Sequence, residues 1–430
     1  MTKQKILIIG SGGREHAIGW KIKQSARCGE LFFAPGNAGT LALGTNMDIK
    51  ATDILGLIEF VKSQKIDVTL AIPDDPLAHG IVDAFRAVGL RIFGPMKEAA
   101  QLESSKAYAK YFMETHNLPT AKFKTCTSFP EAEEYVREQT FPLVIKASGL
   151  ALGKGVLICH DMTEALEALD SILVKKIFGD AGSVVVIEEF MTGPEVSIHA
   201  FSDGITSQLF PASQDHKRIG DGDTGPNTGG MGTIAPLPFV RQEWMEKIKK
   251  DIVEPTIEGM KTINAPFEGV LYPGLMLTAE GPKILEYNAR FGDPETQTYM
   301  RLLETDLIDI VDACIDKKLH EIEIVWKNRS ACTVICASEG YPGVYEKGKV
   351  IAGIQDAESH DDIVVFHAGT IMHEGELVTN GGRVLGVSAI GVTLHQALDK
   401  AYKAIEMISF DGMQYRKDIG QKALQQKLLI

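Results

Sequence analysis

The sequence predicts a multidomain protein of mixed α/β and α+β class, opening on a doubly wound parallel sheet. Three observations predict it. The chain has 430 residues, too many for one ordinary core and suited to roughly two to four domains. Its first hundred or so residues alternate short apolar runs with helix-length segments, the pattern of a parallel sheet. After Trp326 the alternation gives way to a smaller α+β pattern ending in a helix.

Taken in order, strands are expected at Lys5–Ile9, Leu31–Ala34, Asp67–Ile72 and Arg91–Phe93, with helices at Glu15–Gln24 and Ile54–Gln64 between them. Gly94-Pro95 closes this part, and one helix is expected over Lys97–Asn117. The middle turns β-rich at Phe141–Lys146, Gly155–Cys159 and Ser183–Glu189, around a helix at Met162–Val174. A polar segment, Asp215–Gly232, then holds six glycines, and a loop of that length inside a compact domain is usually functional. Helix resumes over Arg241–Thr262, strands follow at Gly269–Leu277 and Lys283–Asn288, and the last helix is Leu394–Met407. These shifts place boundaries near 102 and 325, giving segments 1–102, 103–325 and 326–430, with a lid subdomain at about 120–192 inside the second.

Hydrophobic residues make up 44% of the chain and charged residues 23%, values of an ordinary globular protein. The net charge of −13 leaves no basic surplus to neutralise phosphates along a polymer, so no nucleic-acid partner is expected. The longest apolar runs, such as Ile6–Ile9 and Val184–Ile187, are strand-sized, so no membrane association is expected. A strand begins almost at the first residue without a preceding targeting pattern, and the expectation is a cytoplasmic protein, a monomer or weak homo-oligomer. The six cysteines form no CxxC pair and read as reduced and structural, and the scattered His16, His79 and His216 offer no zinc-ligand spacing.

Five segments can carry chemistry. Gly10-Ser11-Gly12-Gly13-Arg14-Glu15-His16 is a strand, a glycine turn and a helix start, which presents backbone N–H groups to an anion. Glu15 replaces the third glycine of a dinucleotide fingerprint, and the second strand ends in Ala34-Pro35-Gly36-Asn37 instead of a ribose-binding acid. A phosphate other than that of a nicotinamide cofactor therefore fits, with Gly12, Gly13, Arg14, Gly36 and Asn37 as substrate-binding candidates. A turn serving only strand–helix packing is the alternative.

Lys146-Ala147-Ser148-Gly149 through Gly153-Lys154-Gly155 joins two strands by a glycine-rich loop that is not a Walker A motif. Gly149, Gly153 and Gly155 can let it fold over a triphosphate, with Lys146 as a fixed positive charge; a plain surface hairpin is the alternative. Val185–Phe190 is an apolar strand running into Glu188, Glu189 and then Glu195. Such a strand end can bond an adenine edge through its backbone, and Glu195 can accept from ribose hydroxyls; solvated acids are the plainer reading. Asp215, Lys217, Arg218 and Asn227 open and continue the glycine-rich segment, basic and amide groups that suit an anionic substrate.

The sharpest signal is Leu285-Glu286-Tyr287-Asn288-Ala289-Arg290. In an extended strand side chains alternate, so Glu286, Asn288 and Arg290 share one face while Leu285, Tyr287 and Ala289 face a core. A carboxylate and an amide oxygen are hard donors that suit Mg²⁺ or Mn²⁺ completed by nucleotide phosphates and water. Arg290 can grip a carboxylate or phosphate with its planar fork. A polar strand face with a surface ion pair is the alternative.

Together these segments resemble the ATP-grasp superfamily and, within it, the phosphoribosylamine–glycine ligase family. The likeness runs through Gly10–Ala17, Pro35–Thr40, Ser104-Ser105-Lys106, Lys146–Val156, Gln214–Gly232 and Leu285–Gln297, and on through Gly340–Gly343 and Thr379–Leu385. Two departures stand out: Ala71-Ile72-Pro73-Asp74 where the family has Val-Gly-Pro-Glu, and Ser148 where it has Asp. The resemblance implies an ATP-grasp core of two subdomains between the N-terminal sheet and a small C-terminal α+β domain. It implies ATP-dependent joining of glycine to 5-phosphoribosylamine. It also implies that Lys106 and Lys146 contact phosphates, Glu188 and Glu195 the nucleoside, and Glu286 and Asn288 the metal, with Arg290, Lys146 and Asp215 as catalytic candidates. Other ATP-grasp ligases, a nicotinamide-dependent oxidoreductase and a non-catalytic nucleotide-binding protein are the rival classes.

Overall fold

The computed structural model describes residues 3–150, 155–360 and 362–426. The N-terminal part is a five-stranded parallel sheet of order β3-β2-β1-β4-β5. Its strands and helices are β1 (Gln4–Gly10), α1 (Gly13–Ile22), β2 (Cys28–Pro35), β3 (Thr45–Asn46), α2 (Ile54–Gln64), β4 (Val68–Ala71), α3 (Asp74–Ala78), α4 (Ile81–Ala87) and β5 (Ile92–Phe93). Both faces are covered, as a parallel sheet requires. Leu7, Ile9 and Phe32 pack on α2 and α4 through Leu57, Val61 and Phe85. The opposite face, Ile6, Ile8, Phe33 and Leu70, packs on α1 and on Ile308 and Val311 from the middle of the chain. The short α3 and α4 and the two-residue β3 escape sequence reading because none spans enough residues to show a period.

The expected helix over 97–117 is two helices, α5 (Lys97–Ser104) and α6 (Lys106–Thr115), broken at Ser105. Ser105 is extended (φ −139°, ψ 103°), and its hydroxyl accepts from the Tyr108 N–H at 3.3 Å, an N-cap that restarts the helix. Next comes a four-stranded antiparallel sheet of order β6-β9-β7-β8, made of β6 (Phe123–Cys126), β7 (Leu143–Ala147), β8 (Val156–Cys159) and β9 (Val185–Glu189). α7 (Phe129–Arg137) and α8 (Met162–Leu169) cover one face of it. A second antiparallel sheet joins β10 (Glu195–Ser197), β11 (Ala200–Asp203), β12 (Ser207–Leu209), β17 (Glu268–Thr278) and β18 (Gly281–Asn288).

The Asp215–Gly232 segment, expected as a loop, is largely ordered strand. It holds β13 (Gln214–Asp215) and a small hairpin, β14 (Arg218–Gly220) with β15 (Thr224–Asn227), and it leads into β16 (Gly232–Ala235). β16 pairs antiparallel with β19 (Ser330–Ser338) in the last sheet, so the chain visits the C-terminal sheet long before it enters that region for good. Strands this short, three of them glycine-containing, carry no readable alternation. From there α9 (Gln242–Ile248) and α10 (Glu254–Thr262) lead back to β17 and β18, and α11 (Glu295–Leu302) and α12 (Leu307–Ile315) lead out. The C-terminal part contains α13 (Ile354–Glu358), β20 (Ile363–His367), the hairpin β21 (Thr370–His373) and β22 (Glu376–Thr379), β23 (Arg383–Gly391), α14 (Leu394–Ile405) and β24 (Met413–Gln414). Its sheet runs β13-β16-β19-β23-β20, with β24 on β19. Among the described residues no helix is long and apolar enough to cross a membrane.

Candidate active site

Two groups of residues meet where the sheets converge. The first is a cage of charges between α6, the ends of β7 and β9, and β18. Lys146 leaves β7 buried, with its ammonium 3.0 Å from Glu188 Oε2 and donating to the Leu285 carbonyl at 3.0 Å. Lys217 lies 3.4 Å from Glu195 Oε2 and 3.5 Å from Glu286 Oε1. Burial alone would raise the Glu286 carboxyl, but Lys217, Lys146 and Lys106 outweigh it and hold the group down at about 2. In turn Glu195 and Glu286 push the Lys217 ammonium upward against the cost of burying it. Lys106, at the start of α6, donates to the Gly149 carbonyl at 3.4 Å; burial and neighbouring Lys146 lower its pKa.

β18 presents Glu286 and Asn288 on one side, but the expected alternation breaks just before them. The register against β17 shifts between Gly274 and Leu275, which makes Leu285 a bulge. Ile284 and Tyr287 both enter the main core, and Leu285 packs instead with Ala121, Met191 and Met276 in a small separate cluster. That corrects the placement of Leu285 in the core with Tyr287. Arg290 sits just beyond the strand. Its Nη2 is 3.0 Å from Glu103 Oε1 and donates to Asn288 Oδ1 at 3.4 Å, its Nη1 donates to the Phe291 carbonyl at 3.0 Å, and its Nε is buried without a partner. Asp74, the first residue of α3, keeps an acid where the family has Glu; burial would raise its carboxyl, but Arg290 and Arg14 pull it down.

The acids of β9 are engaged inside the protein. Glu188 is buried between Lys146 and Lys110, and Glu189 Oε1 accepts from the Lys122 N–H at 3.0 Å. Glu195 stays exposed on β10 and is paired there with Lys217. At the root of the glycine-rich connection, Ser148 Oγ accepts from the Ala107 N–H at 3.0 Å and its carbonyl from the Lys106 N–H at 2.8 Å, which ties β7 to the first turn of α6. Gly149 packs against Ala181, where a Cβ would lie 2.6 Å from Ala181 Cα. Gly155 accepts from the Ala147 N–H at 2.8 Å. Gly153 lies outside the described residues.

The second group lies between the C-terminal ends of β1 and β2 and the last domain. A cavity of about 290 Å³ opens there, lined among others by Gly12, Gly36, Asn37, Thr370, Asn380 and Arg383. The α1 N-terminus does not face it bare. Glu15, the residue in place of the third glycine, folds back so that the Gly12 N–H donates to its Oε2 at 2.6 Å, and Arg14 Nε pairs with its Oε1 at 2.6 Å. The expectation of an open anion seat at this turn is corrected: the chain's own carboxylate caps the helix. Gly13 is buried against α11, where a Cβ would lie 2.6 Å from Gln297 Nε2, so it serves packing. Arg14 turns inward, with Nη1 donating to the Phe291 carbonyl at 3.1 Å.

Asn37 is a buried knot. Its Nδ2 donates to the Ser11 and His367 carbonyls at 2.8 and 2.9 Å, and its Oδ1 accepts from the Gly39 and Thr40 N–H groups at 2.9 and 3.1 Å. The amide is used up in joining β1, β2 and the C-terminal domain, and the backbone is engaged as well: the Asn37 N–H donates to Thr40 Oγ1 at 2.8 Å and its carbonyl accepts from Asn46 Nδ2 at 2.7 Å. Gly36 is in the left-handed region at φ +75°, and a Cβ there would collide with Asn46. Arg383, which lines the cavity and which motif reading did not assign, donates to the Gly229 and Asp293 carbonyls at 2.7 and 2.8 Å and pairs with Asp293 Oδ2 at 3.1 Å.

Between the two groups sit Asp215 and Glu295. Burial and the nearby Glu295 push the Asp215 carboxyl well up, against Lys217 and Arg383. Glu295 Oε1 accepts from the Tyr272 hydroxyl at 2.6 Å. Arg218 and Asn227 are not brought to the cavity. They pair across the β14–β15 hairpin, where Arg218 Nη1 donates to the Gly225 carbonyl at 2.7 Å. His216, beside them, is buried as a structural link, with the Gly420 N–H donating to its Nε2 at 3.0 Å.

The donor set suits a divalent cation bound together with a nucleotide. Glu286 is held ionised, Asn288 stands beside it, and no group of three or more His, Cys, Asp or Glu forms a self-sufficient metal cage among the described residues. Two hard oxygens with the remainder supplied by phosphates and water is the Mg²⁺ habit.

Family models of phosphoribosylglycinamide synthetase match in three consecutive pieces: the N domain at residues 4–103, the ATP-grasp domain at 104–296 and the C domain at 331–422. The chain is 48% identical to the phosphoribosylamine–glycine ligase of Rhodopirellula baltica, covering 99% of each chain. It is also 48% identical to that of Vibrio parahaemolyticus, covering 98% of each. The crystal structure of the Thermotoga maritima phosphoribosylamine–glycine ligase superposes with a TM-score of 0.85 at 37% identity, covering 96% of this chain and 99% of that one. The fold is therefore the three-domain ATP-grasp architecture, one that works with ATP and a divalent metal, and the chain belongs to the phosphoribosylglycinamide synthetase family.

Proposed function

We propose that this chain ligates glycine to 5-phosphoribosylamine, using ATP and giving glycinamide ribonucleotide, ADP and phosphate in purine biosynthesis. The observation that carries the reading is the single polar face of Glu286, Asn288 and Arg290, set opposite Lys106 and Lys146, in a chain 48% identical to named ligases over its whole length.

In this reading adenine lies against the apolar cluster of Ala121, Met191, Met276 and Leu285, with backbone of Glu188 and Glu189 along its edge and Glu195 near the ribose. Lys106, Lys146 and the Gly149–Gly155 connection hold the phosphates, and Glu286 and Asn288 hold Mg²⁺ or Mn²⁺, which supplies charge neutralisation to the triphosphate. Arg290 grips the glycine carboxylate; its buried, unpartnered Nε is a donor in want of an acceptor. The cavity of Gly12, Gly36, Asn380 and Arg383 takes the phosphorylated sugar, and Asp215 faces the reacting amine from between the two halves.

A carboxylate is a poor acyl donor. One glycine oxygen therefore attacks the γ-phosphorus, ADP leaves, and glycyl phosphate forms. Lysines and Arg290 are placed where charge spreads over the transferred group, so electrostatics and positioning do most of the work. The amine nitrogen of phosphoribosylamine then attacks the acyl carbon, and phosphate leaves with the glycine oxygen. The acyl phosphate hydrolyses readily, so water must be kept from it until the amine attacks. The enzyme works among soluble metabolites, in the cytoplasm, as a monomer or weak homo-oligomer.

The test is ADP release with each substrate omitted in turn, phosphoribosylamine being generated in place from ribose 5-phosphate and ammonia. Release should require glycine and phosphoribosylamine together. Equal release with an unrelated amine and no phosphoribosylamine would remove the substrate assignment and leave only the family.

A further inference from the structure

Lys110 lies one turn after Lys106 on α6, and no sequence pattern distinguishes it from a solvated helix lysine. It is one of the most deeply buried charges in the molecule, its side chain 2% exposed. Its ammonium lies 3.3 Å from Glu188 Oε1, donates to Thr120 Oγ1 at 2.7 Å and sits 5.3 Å from the centroid of Phe123. Thr120 passes the bond on to the Ile284 carbonyl at 2.7 Å, which fixes Lys110 against β18. The other oxygen of Glu188 is 3.0 Å from Lys146 Nζ. One buried carboxylate thus bridges two lysines, one facing the nucleotide side and one behind.

The charge sum is the point. A buried Lys146–Glu188 pair is neutral and would show an incoming triphosphate a dipole, not a charge. The second lysine restores one net positive charge to the group. If packing alone were at stake, a neutral pair of the same shape would serve as well, because burying ions is costly and isosteric apolar replacements are often neutral or stabilising. We propose that Lys110 is a positioning residue for ATP: by holding and neutralising Glu188 from behind, it leaves the charge of Lys146 for the nucleotide phosphates. This rests on the reading of Lys146 as a phosphate-binding lysine given above.

The groups facing Lys110 are Glu188, Glu189, Lys146, Thr120 and Phe123. Burial lowers its ammonium, and Lys146 adds to that against the pull of Glu188, to about 8. Its charge is therefore lost in mild alkali, and the Lys146–Glu188 pair is then left neutral.

The experiment measures equilibrium binding of Mg·ATP to the full chain at about pH 7.5, with thermal unfolding recorded alongside. The variants are Lys110→Met, Glu188→Gln, their double and Lys146→Met. Lys110→Met should weaken ATP by about tenfold or more, the scale of one desolvated charge contact. The double variant should recover most of that loss, because Glu188 no longer needs neutralising. A purely structural Lys110 would leave the double no better than Lys110→Met, and that result overturns the proposal. In the unmodified chain ATP affinity should fall as pH rises from about 7.5 to 9.5, and the fall should vanish in the double variant. Affinity independent of pH over that range in the unmodified chain also overturns it, without any variant having to fold. If Lys146→Met binds ATP normally, the phosphate-site reading fails and takes this proposal with it; a weakened Lys146→Met beside an unaffected Lys110→Met overturns this proposal alone.

Discussion

The nucleotide side of the site and the cleft against the C-terminal domain are built by opposite means. On the proposed nucleotide side the groups are charged side chains: Lys146 is paired with Glu188, Lys217 with Glu195 and Glu286, and Lys106 donates to the Gly149 carbonyl beside them. In the cleft most of the wall is backbone and amide, from Gly12, Gly36, Asn37, Thr370 and Asn380, and the two charges that line it, Asp293 and Arg383, are paired with each other. Charge suits the step in which phosphoryl moves and negative charge spreads. Fixed backbone suits a site that must shape itself around a whole sugar and keep three domains in register. The difference predicts that substitutions on the nucleotide side change rates, and substitutions at the cleft change stability.

The largest effect expected is on the nucleotide side. Glu286→Gln should lower turnover by at least ~10², since a metal-bound carboxylate helps stabilise the transferred phosphoryl. The chain should stay folded, because Glu286 is half-exposed and packs little. Near-normal turnover with unchanged metal dependence would assign Glu286 to an ordinary ion pair and break the comparison from that side.

At the cleft, Asn37→Ala removes an amide that joins Ser11, Gly39, Thr40 and His367. Stranding several buried partners at once should cost about 2–4 kcal/mol, read as a lower urea midpoint with unchanged slope. A midpoint equal to that of the unmodified chain would show that the cleft is not held as described.

The smallest effect expected is on pH dependence at the same junction. The His367 N–H donates to His16 Nδ1 at 2.8 Å across the N-terminal and C-terminal domains. Burial, then the neighbouring His367, lowers His16 to about 3, and burial lowers His367 to about 4. Both are below the ordinary histidine value, so the unfolded chain takes up their protons first. Their contribution is complete above about pH 6.5 and is lost as pH falls toward 4 and 3. For His16 the unit from about pH 6.5 to 5.5 should cost about 1 kcal/mol of unfolding free energy. His16→Leu should flatten that slope, and an unchanged slope would place the titration elsewhere.

The same contrast explains what was legible in the sequence. Glu286 and Asn288 share a face because one strand sets their spacing and the bulge at Leu285 falls just before them, whereas Arg290 lies beyond the strand end. The parallel sheet could be read because β1, α1, β2 and α2 are each long enough to show their own period. Asn37 and Arg383 are held by partners far along the chain, His367 at a separation of 330 residues for one, and Gly229 and Asp293 at 154 and 90 for the other. No local pattern marks such a contact. Glu15 was visible as an anomaly, a carboxylate in a glycine position, but its capping of Gly12 requires the helix geometry. Ser105 stood in a Ser-Ser-Lys motif and went unread as a helix cap, so one helix was expected where two occur. Lys110 gave no signal, because a lysine on a helix face looks the same whether it is solvated or buried.

We propose that glycine is activated as its acyl phosphate by a site of lysines and hard oxygen donors. This activation is tested most directly by following oxygen. Glycine labelled with heavy oxygen in both carboxylate positions is turned over to completion with ATP and phosphoribosylamine, and the inorganic phosphate is analysed by mass. Each turnover should place one label in phosphate, since the glycine oxygen that attacked phosphorus leaves with it. Unlabelled phosphate from a fully coupled reaction would contradict the acyl-phosphate route, even with glycinamide ribonucleotide as the product.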